Sequence, residues 1–279
     1  NSAQITNVDT FNWSGTSGHM VTATSGIFRN EGTFNVNDSG RGIGVTFNAV
    51  PTTSTINVTP SESILFGSLN FLGNSAITGS GEVRMGSYDS VSSHSISDGS
   101  VITGGFTFEN GSLNLPGIAT LNFLDWNRGS IIGGGNLTIS GASDWGVGGF
   151  NMTLDGSTIT NTGTINYSEN TTNHEILLNS AAQLVNNGIF VWSGSANEIL
   201  SNAGTIGTFV NNGTFHVSNS GTGVGVPFNA MPASIINVDV LQTLKMGSLN
   251  LLGNSTISGS GDVLMSSHNT LNQHTIAAD

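Results

Sequence analysis

Apolar and polar residues alternate one for one along most of this chain, in short runs broken by Gly, Asn, Ser and Thr. No apolar stripe persists at the helical spacing of three to four residues, so strands are predicted throughout and long helices are not. Five runs share one pattern, apolar-x-Asn-x-Gly-Thr-apolar-x-apolar. They span residues 5–13, 28–36, 159–167, 184–192 and 209–217, and their asparagines are Asn7, Asn30, Asn161, Asn186 and Asn211. Within each run the apolar residues, the Asn and the Gly (Asp9 in the first) fall on positions of one parity. Side chains alternate between the faces of a strand, so these residues share a face.

Neighbouring copies of the pattern follow one another at the length of a single coil, as from Asn7 to Asn30 and from Asn161 to Asn186 to Asn211. A motif returning at that distance, with strand-like alternation inside it, describes a solenoid. The predicted fold is therefore all-β, a right-handed parallel β-helix with coils of about 22–25 residues. Ile5, Asn7, Asp9, Phe11 and Trp13 would lie beneath Phe28, Asn30, Gly32, Phe34 and Val36. The asparagines are expected to form a structural ladder at a corner, because a buried amide without partners costs about 1–3 kcal/mol. Gly beside each Asn would supply freedom for the turn. About 12 coils at ~4.8 Å per coil would make a rod about 55–60 Å long. An antiparallel sandwich, with turns every 8–12 residues or so, leaves the longer recurrence unexplained.

A longer repeat overlies the short one. Phe28–Val36 returns as Phe209–Val217, residues 47–51 return as 228–232, and residues 67–75 return as 247–255. Residues 3–98 and 182–279 are thus copies within a tandem repeat of about 180 residues. The stretch 99–181 is the remainder of the first unit. One continuous solenoid over 1–279 is expected, read as a window on a longer array.

Composition narrows the function. Charged residues make up 8% of the chain, against roughly 25% in an ordinary soluble domain. There is no cysteine, which excludes disulfides and thiolate metal sites. The net charge is −12, and the five cations, Arg29, Arg41, Arg84, Arg128 and Lys245, are scattered. Nucleic acid is therefore a poor partner and anionic membranes are disfavoured, since both need clustered positive charge. No apolar run reaches the roughly 20 residues of a transmembrane segment.

Candidate chemistry is sparse. A glycan-cleaving or glycan-binding β-helix would draw on the unduplicated middle: Asp125, Trp126, Arg128, Asp144, Trp145 and Asp155. Asp125 and Asp144 are separated by little less than one coil, close enough to meet on neighbouring coils. Carboxylates on corners and surfaces are the plainer reading. His19, His94, His174, His216, His268 and His274 show no metal-ligand spacing and are expected in solvated loops. The Gly-Gly-x-Gly-x-Asp signature of a calcium-loaded β-roll is absent. Residues 40–44 (Gly-Arg-Gly-Ile-Gly) and their copy at 221–225 are expected to be glycine-rich turns, not phosphate loops. Asn12, Asn57, Asn136, Asn166 and Asn254 stand in glycosylation sequons, which arise by chance in so much Asn, Ser and Thr. The expectation is no enzyme, no catalytic or metal site and no cofactor.

With the Asn-x-Gly-Thr coils at Asn30, Asn161 and Asn211 and the stretch 133–141 before Trp145 in view, the chain resembles bacterial surface β-helix repeat proteins. The likeness is to the filamentous-haemagglutinin and autotransporter-adhesin type. That resemblance implies an extracellular or cell-surface location and a structural or adhesive role. The expected partners are further copies, joined end to end, or a surface receptor or glycan.

Overall fold

The computed structural model is all-β. It describes residues 3–14, 19–20, 26–38, 42–51, 53–88, 91–146, 150–168, 174–194, 197–201, 203–219 and 223–277, and these form strands without a helix. The strands stack in parallel as a β-solenoid of about 11 turns. The chain divides into two compact units, Asn1–Asp125 with Gly129–Gly135, and Trp126–Arg128 with Asn136–Asp279.

In the first unit, the strands align in three columns. One column runs through Gln4–Asn7, Ile27–Asn30, the ends of Gly42–Ala49 and Ser63–Phe71, then Ser93–Ile96, Ser112–Asn114 and Gly129–Ile132. A second runs through Thr10–Trp13, Thr33–Val36, Thr55–Val58 and Ser75–Gly79. The third takes His19–Met20, the starts of Gly42–Ala49 and Ser63–Phe71, then Glu82–Met85 and the end of Ser100–Phe108. Paired residues identify the coil length. Phe28 lies over Ile5, whereas Ile131 lies over Leu113 after a visibly shorter coil. Coils therefore run from about 18 to about 25 residues, shorter at the low end than the motif spacing implies. The corners absorb most of the difference, and a bulge inside a strand shifts the register by one residue between Ile43 and Thr46.

The second unit repeats the plan. Asn136–Ile139, Thr158–Asn161, Gln183–Asn186 and Thr208–Asn211 stack in one column, residue on residue. A neighbouring column holds Ala142–Trp145, Thr164–Tyr167, Ile189–Trp192, Thr214–Val217 and Ile235–Val238.

Alternation decides which side chains enter the core. In Ile27–Asn30 and Thr33–Val36, Phe28, Asn30, Phe34 and Val36 are fully buried, while Arg29 and Asn35 point outward. Parallel stacking then sets like on like. Phe28 and Phe47 stack at 5.1 Å between centroids, and Phe34 meets both edge-on at 5.4 and 5.1 Å. The second unit builds the same trio from Phe209, Phe228 and Phe215, at 4.8, 5.3 and 5.1 Å. Such pairs add about 0.5–1.5 kcal/mol each to the burial of their surface.

The buried asparagines satisfy themselves along the axis. Asn161 Nδ2 donates to Asn186 Oδ1 at 2.8 Å and to Ile189 O at 2.9 Å. Asn186 Nδ2 does the same with Asn211 Oδ1 at 2.8 Å and Thr214 O at 2.9 Å. In the first unit Asn7 donates to Asn30 Oδ1 at 2.7 Å, and Asn30 passes the chain on to Ser54 Oγ at 2.9 Å. Each amide thereby spends both protons and an oxygen lone pair, which removes the burial penalty.

The glycine two residues on is required for a reason other than turn freedom. A Cβ on Gly213 would lie 2.1 Å from Gly188 O, and one on Gly188 would lie 2.1 Å from Gly163 O. Gly32 meets Asp9 O at the same distance. None of these glycines has a positive φ. Backbones of successive coils touch at this corner, and only hydrogen fits between them.

Candidate functional surface

The two tryptophans of the middle region lie in the core. Trp126 and Trp145 are both fully buried and pair in register, their rings edge-to-face at 5.3 Å. Trp126 Nε1 donates to Arg128 O at 3.1 Å, and the Arg128 guanidinium lies 4.6 Å from the Phe150 ring centroid. Neither indole offers a face to a sugar. Asp144 is exposed and accepts from Asn166 Nδ2 at 3.0 Å, continuing an outward ladder. Asp155 extends the strand Met152–Asp155, opposite Asn179 of the next coil.

The histidines divide into two kinds. His19, His94, His174, His216 and His274 all sit on strands, contrary to the loop positions expected of them, and His94 and His174 are buried. Their strand parity points them inward, a signal present in the sequence but masked by the polar residue type. His94 stands in an apolar column between Leu69 and Leu113 and meets Phe108 edge-on. Its Nδ1 accepts the Leu69 N–H at 3.2 Å, so the ring is neutral with its proton on Nε2. Burial pushes its pKa down to about 4, partly offset by the Gly86 backbone. His274, its copy, makes the same bond from Leu249 N–H at 3.3 Å. On the outside, His216 pairs with Asp239 at 3.0 Å, while His268 is largely buried and lies 3.6 Å from Glu198. His19 is described only as part of the strand His19–Met20.

Glu175 and Glu198 stack on adjacent coils. Burial, then the neighbouring Glu198 carboxylate, pushes the Glu175 carboxyl above its ordinary range, against the opposing hydrogen bond from Asn151. Among the described residues, no group of three His, Asp or Glu side chains is arranged to hold a metal ion.

The glycine motif at 40–44 is not a turn where it is described. Gly42 and Gly44 belong to the strand Gly42–Ala49, and Gly223 and Gly225 to Gly223–Ala230. A Cβ on Gly42 would sit 2.7 Å from the Tyr88 ring, and one on Gly223 would sit 3.0 Å from His268 Nε2. Tyr88 and His268 each close a tight bridge, with Val91 and Leu271 respectively, that folds sideways onto these glycines. Residues 40–41 and 221–222 lie outside the described residues.

Two concave features among the described residues lie in the first unit. One, of about 290 Å³, is lined by Glu82, Phe106, Thr107, Phe123 and Asp125 among others. There the Thr107 hydroxyl donates to Glu82 at 2.7 Å, and Arg84 pairs with Glu109. The other, of about 300 Å³, is lined by hydroxyls and an amide from three successive coils, Thr53 to Thr55, Asn74 to Ala76, and Val101 with Thr103. Outside both run ladders of exposed amides: Asn35 donates to Asn12 at 2.9 Å, Asn57 to Asn35 at 3.0 Å and Asn70 to Asn48 at 3.0 Å.

The class that this geometry defines is the all-β parallel solenoid. No family model, no curated protein and no solved structure matches the chain. No helix is long and apolar enough to cross a membrane among the described residues.

Proposed function

We propose that the chain is a structural or adhesive repeat module, a section of stiff fibre at a cell surface or in extracellular matrix. One observation carries the reading: the two copies keep the side chains that seat coil on coil, inward residues and outward ladder amides alike, and exchange outward charges such as Arg29, Glu31 and Arg84. Phe28, Asn30, Phe34, Val36, Phe47, Ala49 and Val58 recur as Phe209, Asn211, Phe215, Val217, Phe228, Ala230 and Val238, all buried. Outside, the ladder amides Asn48, Asn57 and Asn70 recur as Asn229, Asn237 and Asn250, whereas Arg29 becomes Val210, Glu31 becomes Asn212 and Arg84 becomes Leu264. A site for chemistry would hold its charged groups; a scaffold holds the groups that seat coil on coil. The low charge and the surface Asn and Thr ladders support an extracellular setting.

Self-association belongs to the same reading. A parallel edge with apolar side chains accepts another strand. Protease shaving of intact source cells tests the placement. Loss of the antibody signal for this chain, with a cytoplasmic marker retained, is the expected result; a protected signal would overturn the reading.

A further inference from the structure

We propose that the groove lined by Thr53, Thr55, Asn74, Ser75, Val101 and Thr103 binds a neutral oligosaccharide. The inference rests on the adhesive reading and deepens it by naming the class of ligand.

The argument starts from register. Thr55 pairs with Ala76, Ala76 with Thr103, and Ser75 with Ile102, so three coils present the same corner one above another. Thr53 and Asn74 stand on adjacent coils ~4.8 Å apart, and Thr55 and Thr103 stand two coils apart with Ala76 between them, spacings near the lengths that one and two pyranoses add to an extended chain. The groups are hydroxyls and a carboxamide, with the Thr53 oxygen left to accept, the Asn74 amide protons left to donate, and the Thr55 and Thr103 hydroxyls able to do both. Their geometry is held in advance. Asn74 Oδ1 accepts the Val101 N–H at 2.9 Å, Ser75 donates to Gly73 O at 3.4 Å, and the Thr53 hydroxyl donates to Glu31 O. Val101, half exposed, offers an apolar patch for the C–H face of a ring.

Charge selects among sugars. No ionisable side chain lines the groove, and the chain carries a net charge of −12. A uronic acid, sulfate or phosphate would enter without a counter-charge, so neutral saccharides are favoured.

The second copy supplies an internal control. Asn74 and Ser75 recur as Asn254 and Ser255, but the corner there is one residue shorter, with Ala233 in the place of residues 52–53 and Ile235 in the place of Thr55. There the Asn254 oxygen takes the Ala233 N–H, at 2.8 Å. The coil forms with or without the two hydroxyls, so folding does not account for them in the first copy. Lacking an aromatic platform, the groove would bind through hydrogen bonds, with a Kd on the order of 1 mM per site.

The test titrates the isotopically labelled full chain with cellohexaose, maltohexaose and tri-galacturonate, read by amide chemical shifts. Shifts confined to residues 53–55, 74–76 and 101–103 with a neutral probe, and none with tri-galacturonate, are expected. The double variant Thr53→Ala/Thr55→Ile, which installs the second copy's residues, should weaken binding about tenfold at an unchanged melting temperature. Thr103→Val, an exposed isosteric change, should weaken it independently. Silence with both neutral probes at tens of millimolar, undiminished binding by both variants, or equal binding of tri-galacturonate would each overturn the site. Such a failure leaves surface shaving, and with it the fibre reading, untouched.

Discussion

Residues 27–96 and 208–276 are two copies of one text placed in different surroundings. Where another coil lies on top, equivalent residues are equally buried: Phe47 and Phe228 are both inaccessible, as are Val58 and Val238. Toward the end of each copy they part. Ile77 is 9% exposed and Ile257 43%, although both close the same strand motif. Strand Ser100–Phe108 lies on the first copy, pairing Met85 with Phe108 and Ala76 with Thr103. No described strand lies on Met265 or Ile276. A core position in a solenoid is thus a property of two coils, and the inward parity of a side chain supplies only half of it.

The comparison extends to polar groups. In the first copy Asn30 hands its ladder to Ser54 Oγ. In the second, Asn211 bonds Gly213 O and Ile235 O, each at 3.1 Å, and the Ser234 hydroxyl is buried without a partner. Small shifts of a corner decide whether a retained hydroxyl is used.

Substitutions can break this equivalence or sharpen it. The largest effect is expected in the aromatic trio. Phe28→Ala and Phe209→Ala should each cost about 3–5 kcal/mol in urea denaturation, and a near-neutral outcome at either would show that copy's core to be loosely built. His94 comes next. Its pKa is depressed on folding, from 6.5 to about 4, so its contribution is complete above pH 6.5. Stability should fall as the pH drops from 6.5 toward 4, by up to roughly 3 kcal/mol. His94→Leu should flatten that part of the pH profile; an unchanged profile would place the acid sensitivity elsewhere.

Asn186→Ala leaves an Asn161 amide proton and the Asn211 oxygen without partners. It should cost about 1–3 kcal/mol for each group left unsatisfied, and thermal melts that fail to shift would refute the ladder's contribution. The smallest effect is expected outside. Exchanging Arg29 and Glu31, a half-exposed ion pair, for the Val and Asn of the second copy should move stability by no more than about 0.5 kcal/mol. A larger change would undermine the view that outward positions are free to vary.

How much of this was legible beforehand depends on whether a feature is periodic. Alternation put Phe28, Asn30, Phe34 and Val36 on one face, and the even spacing of their motif put Asn161, Asn186 and Asn211 in line. Both are consequences of covalent geometry and one-dimensional stacking, so counting along the chain was sufficient. The short coil between Leu113 and Ile131 was not legible, because corners absorb residues without disturbing the strands. The hydroxyl groove was equally hidden: its residues come from three coils and form no contiguous motif.

The amino-acid order by itself determined the all-β class, the inward face of each strand and the existence of two copies, since each follows from period and parity. Only the tertiary structure decided which inward residues are truly buried, why Gly213 admits no side chain, and that Trp126 and Trp145 face the core. Those outcomes depend on how closely one coil's backbone approaches the next, a distance that no position along the chain encodes alone.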